Sequence, residues 1–104
     1  MPLDNPNLLS HSFSKCSVPK RISLLSKVAR SVLEPNANRK YAAIFNYSES
    51  IITLTLQDPN NTLIGQGIPL LPFGTYEISR ENLYKARVSA ICESDADLVC
   101  FECV

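Results

Sequence analysis

The stretch Ile51-Ile52-Thr53-Leu54-Thr55-Leu56-Gln57-Asp58-Pro59-Asn60-Asn61 decides the fold class. Ile52, Leu54 and Leu56 fall on one face of an extended chain, and Ile51, Thr53 and Thr55 fall on the other. A period of two over six residues is the mark of a β-strand. Asp58-Pro59-Asn60-Asn61 then stops it, because proline presets its φ and asparagine tolerates the left-handed region.

The same period extends outward in both directions. Upstream, Asn46 to Ser50 read as a hairpin loop behind a strand from Tyr41 to Tyr47, and Pro35-Asn36-Ala37-Asn38 read as a turn. Ile22 to Leu25 and Lys27 to Leu33 can be extended, with Ile22, Leu24, Val28 and Val32 as apolar markers. A short helix from Ser23 to Leu33 competes, since Leu24, Val28 and Val32 also fit a helical face. Downstream, Gly65, Gly67 and Pro69 indicate a bulged or edge strand around Leu63 to Leu71. Pro72-Phe73-Gly74 is a tight turn into Thr75 to Ile78. Arg80 to Lys85 form a loop or a single helical turn. Strands Arg87 to Cys92 and Leu98 to Val104 are separated by the turn Ser94 to Asp97. About seven short strands, with turn signals roughly every 8–12 residues, predict an all-β fold. The expected form is a small β-sandwich or jelly-roll-like barrel with an extended N-terminal arm.

Residues 1–20 read as that arm and residues 21–104 as the β-domain. The arm holds Pro2, Pro6 and Pro19 among asparagines and serines, and its apolar residues Leu8, Leu9, Phe13 and Val18 follow no period. Alone it cannot bury enough surface to fold. It shows no secretory signal, and no stretch of the chain is apolar enough to span a membrane. The expected location is the cytoplasm or a particle assembled there.

The chain of 104 residues carries 10 Lys and Arg against 10 Asp and Glu, so its formal charge is zero, which argues against a dedicated nucleic-acid binder. The balance is not local. From Lys15 to Lys40 there are seven positive residues and one negative. From Tyr41 onward three positive residues face eight negative ones. Such a split fits an arm docking on an acidic protein surface, or head-to-tail contact between copies.

Catalytic signals are weak. His11 is the only histidine and lies in the arm, far from any fixed neighbour that would make it a base. Gly65-Gln66-Gly67 lacks the Lys-Ser/Thr pair of a phosphate loop. Asp95 and Asp97 share a turn without further calcium ligands. The expectation is a protein that is not an enzyme and has no cofactor. The cysteines are Cys16, Cys92, Cys100 and Cys103. An even count admits disulfides, but without an export signal reduced thiols are the expectation. Cys100-x-x-Cys103 has a zinc spacing, yet residues three apart on a strand face opposite ways and suit one metal poorly.

Residues 35–78 carry a resemblance. Pro35-Asn36-x-x-Arg39 is followed by Ile44-x-Asn46-x-Ser48, then Gly67-Ile68-x-Leu70-x-Pro72-x-Gly74-x-Tyr76-Glu77-Ile78. This order resembles small virion proteins of tailed bacteriophages, most closely capsid cement (decoration) proteins. Pro72-Phe73-Gly74 departs from the usual Pro-Gly-Gly turn. The resemblance implies a structural virion protein, in a homotrimer, that binds the major capsid protein or other virion subunits. A neck, tail or baseplate component is the nearest alternative, and a small cytoplasmic adaptor or inhibitor is a second. The expected partner-binding residues are Leu8, Leu9, Phe13, Lys15, Lys20 and Arg21, followed by Arg39 and Lys40.

Overall fold

A computed structural model describes residues 14–104. The described residues form eight strands: β1 (Lys20–Leu24), β2 (Arg30–Leu33), β3 (Tyr41–Asn46), β4 (Ile52–Thr55), β5 (Ile68–Leu70), β6 (Thr75–Ile78), β7 (Val88–Cys92) and β8 (Ala96–Cys103). Two four-stranded sheets face each other, with orders β1-β8-β3-β6 and β2-β7-β4-β5. Every pairing is antiparallel. The pairs β1·β8, β2·β7, β3·β6 and β4·β5 nest around the β4–β5 connection. The chain is therefore one long hairpin rolled up, which is a jelly roll. The expected all-β sandwich is present, with eight strands.

The core follows the inward faces. Ile22 and Leu24 of β1, Ile44 of β3, Leu98 of β8 and Ile78 of β6 meet Ile52 and Leu54 of β4, Val88 of β7 and Leu70 of β5. Leu54 is fully enclosed. Leu54→Ala is expected to cost roughly 2–5 kcal/mol in urea unfolding, as for other buried leucines. A loss below about 1 kcal/mol would mean that the cavity collapses at little cost.

One local expectation changes. Asn46 to Ser50 do not close a hairpin: β3 and β4 lie in different sheets, and this segment turns the chain from one to the other. The buried Asn46 amide is the cause. Its Nδ2 donates to the carbonyls of Ser50 (2.7 Å) and Leu70 (3.0 Å), and its Oδ1 accepts from the Ser48 amide (3.0 Å). Among the described residues the one connection between consecutive strands of a single sheet is β4 to β5.

The helix competing over Ser23 to Leu33 does not form. Pairing of β1 with β8 and of β2 with β7 takes those backbone groups, and Val28 is left exposed on the intervening loop. On β4, Thr53 and Thr55, on the face opposite Ile52 and Leu54, are buried as well. The β4–β5 loop folds back over them, with Thr55 and Thr62 hydroxyls 2.6 Å apart and the Gly65 amide donating to Thr53 Oγ1. Gly67 permits this return: a Cβ there would stand 2.3 Å from the Leu54 carbonyl oxygen. β5 is an edge strand, the position where Pro69 is tolerated.

Candidate functional site: an arm root at one end and an apolar tip at the other

Strands that are all antiparallel sort the connections between two ends. The chain enters at what we call the base. There, residues 14–17 continue the line of β1 along the end of β8. Ser14 N and Lys15 N donate to Val104 O, Val104 N returns a bond to Lys15 O (2.8 Å), and Ser17 N donates to Glu102 O (2.8 Å). Cys16 and Cys103 form a disulfide between these neighbouring segments, with Cα atoms 4.0 Å apart.

The expectation of reduced thiols is thereby corrected for this pair. The 87 residues between them hid the pairing, because it depends on β1 and β8 being neighbours in space. Cys92 and Cys100 are free and buried. Burial pushes both thiols up, with Asp95 adding to the effect at Cys92. Cys100 and Cys103 do not converge on a metal. Among the described residues no group of three or more His, Cys, Asp or Glu is placed to hold a metal ion, and His11 lies outside them.

The expected partner-binding residues divide. Leu8, Leu9 and Phe13 lie outside the described residues. Lys15, Lys20 and Lys40 are exposed. Lys15 and Lys40 come together at the end of β8: Lys40 N donates to Cys103 O, beside the Val104 contacts of Lys15. Lys85, which the sequence did not single out, lines a cleft with Lys40, Asn38, Val104 and Ser14, the last next to Lys15 along the chain. None of these three lysines has a carboxylate within ion-pair distance among the described residues.

Arg39 is different, and its assignment as a surface contact is corrected. It is fully buried. Its Nε donates to Glu102 Oε1 (2.7 Å), one terminal nitrogen to the Tyr84 and Ala86 carbonyls, and the other to the Glu34 carbonyl (2.6 Å). The planar fork satisfies acceptors from two base loops and β8 at once, so it is unavailable to a partner.

Arg21 pairs with Asp97 (3.3 Å) and lies over the Tyr47 ring at 5.8 Å. It ends an aromatic row on the outer face of the first sheet. Tyr41 and Phe101 have centroids 6.0 Å apart, Phe101 and Phe45 6.2 Å, and Phe45 and Tyr47 6.5 Å. The Tyr41 hydroxyl donates to the Glu77 carboxylate, which with burial raises its pKa to about 12. The row runs from the base to the opposite end.

That opposite end, the tip, gathers the loops 25–29, 47–51, 71–74 and 93–95. They are tied together by Lys27 N to Cys92 O (2.7 Å), Ser26 N to Asp95 Oδ1 (2.7 Å) and Tyr47 N to Asp97 O (2.9 Å). Leu25, Val28, Tyr47, Ile51, Leu71 and Phe73 all stand on these loops with 53% to 67% of their surface exposed. Solvent-facing loops do not need such a concentration of apolar side chains. Both described non-glycine residues with positive φ also lie here, Lys27 (63°) and Phe73 (57°). Sequence reading missed the tip as a unit, since its residues come from four separate turns. The signal that was available is Phe73, standing where the resembling turn carries glycine.

No family model matches the chain, nor does any curated protein or solved structure.

Proposed function

We propose that the protein is a structural virion subunit, a cement or decoration protein that binds and stabilises a capsid lattice through its N-terminal arm. The observation that carries this reading is the arm root, bonded into the first sheet and fastened by the Cys16–Cys103 disulfide. Residues 14–17 are thereby fixed to the first sheet. That is what an arm reaching to a neighbouring subunit requires. The disulfide also bears on location. Disulfides persist on the surfaces of released particles, whereas a cytoplasmic adaptor keeps its thiols reduced. The resemblance over residues 35–78 points the same way. The partners in this reading are the major capsid protein or other virion subunits, with the protein itself a homotrimer located in the virion.

A neck or tail position is the second reading, favoured by the unlike character of the two ends. Immunogold labelling of purified particles separates the two: label spread over the head fits cement, and label at one vertex or on the tail fits the second reading. Absence of label overturns both.

Deletion of residues 1–13 gives the direct test of the arm. The cut leaves the Cys16–Cys103 disulfide and all eight strands in place. The truncated protein is expected to keep its thermal midpoint and to lose particle binding in a co-sedimentation assay. Full binding by the truncated protein would exclude the arm as the contact.

A further inference from the structure

We infer that the tip of one copy docks on the base of another, so that the protein assembles head to tail. This goes beyond the virion reading and does not depend on it. Phe73 is the first ground. The turn Leu71-Pro72-Phe73-Gly74 closes with Gly74 N donating to Leu71 O (2.8 Å), and its third residue has φ 57°. Glycine or asparagine is the natural occupant of that position. A phenylalanine there carries a local backbone penalty, and with two thirds of its surface exposed it gains little burial within its own subunit. Burial against a partner supplies the return. Leu71 and Tyr47 extend the same apolar surface.

Charge selects the partner. On the tip, Glu93 is paired with Lys27 and Asp97 with Arg21, but Glu49 and Asp95 have no cation within ion-pair distance among the described residues. At the base, Lys15, Lys40 and Lys85 have no carboxylate within ion-pair distance among the described residues, against one unpaired carboxylate there, Glu81. The complement of the tip is therefore the opposite end of the same molecule. Tip and base lie at opposite ends of the sandwich, so the contact joins unlike surfaces. Such a contact closes into a ring or runs on as a filament, according to the rotation between subunits.

Sedimentation velocity on the full-length protein over a concentration series tests this. The wild type is expected to shift to multiples of the monomer mass as concentration rises. Phe73→Asn removes the ring while suiting the left-handed backbone, and it is expected to remain folded and sediment as a monomer. A base variant, Lys40→Glu with Lys85→Glu, is expected to be monomeric as well. The decisive arm mixes the two variants. Each retains one intact surface, so a 1:1 complex that grows no further is expected. A wild type that stays monomeric at every concentration overturns the inference. A base variant that still self-associates overturns it too, because tips would then be meeting tips. Failure of the mixture to form the complex does the same. None of these results depends on whether the protein binds a capsid.

Discussion

Replacement of Arg39 by methionine is expected to lower unfolding stability by about 3–5 kcal/mol, the usual cost of removing one partner of a buried ion pair. The expectation follows from what the guanidinium holds. It is fully enclosed, and it satisfies the half-buried Glu102 carboxylate and the carbonyls of Glu34, Tyr84 and Ala86. Methionine fills much of the volume but leaves four acceptors unpaired in a site that water reaches poorly. Arg39→Lys retains the charge without the planar fork and is expected to remain destabilised by about 1–2 kcal/mol. Adding Glu102→Gln to Arg39→Met removes the orphaned charge, so the double variant should be less destabilised than the single effects summed. Urea unfolding followed by circular dichroism measures all three, since the chain has no tryptophan. A loss below about 1 kcal/mol for Arg39→Met would show that water replaces the guanidinium at little cost.

Opening the Cys16–Cys103 disulfide is the second large effect. The bridge closes a loop spanning 87 positions, nearly the whole described chain. Chain-entropy arguments assign a loop of that length about 4–5 kcal/mol, acting chiefly on the unfolded state. Cys16→Ala with Cys103→Ala, or simple reduction of the wild type, is therefore expected to lower stability by about 2–5 kcal/mol. The two treatments should agree, because Cys92 and Cys100 are buried with raised thiol pKa values and exchange poorly near neutral pH. Reduction should also loosen residues 14–17, whose remaining ties are a few backbone bonds at the sheet edge and the Ser17 hydroxyl. Limited proteolysis would then cut near Lys15 in the reduced protein before the sandwich unfolds. Coincident unfolding curves with and without reductant would exclude a stabilising bridge.

The motif residues that carried the family resemblance now have physical roles. Asn46 turns the chain from one sheet to the other. Gly67 lets the β4–β5 loop pass against β4. Arg39 fastens the base loops to β8. These are folding determinants. Phe73 is the exception, since its residue type works against the local backbone.

Alternation of side chains and the chemistry of turns are local properties, and both stand in the sequence. Ile52-x-Leu54 announced a strand and Asp58-Pro59-Asn60-Asn61 a stop, and repetition of that grammar established an all-β domain. Which strands become neighbours is not local. The loop at Asn46 to Ser50 reads as a hairpin, and only the partners of the Asn46 amide make it a passage between sheets. Arg39 belongs to a basic run that reads as surface until Glu102, 63 positions away, arrives beside it. Cys16 finds Cys103 only once β1 lies along β8. The apolar tip exists only because the rolled hairpin brings four distant turns to one end. In each case the deciding energy is a contact between residues far apart in the chain, and tertiary structure alone brings them together.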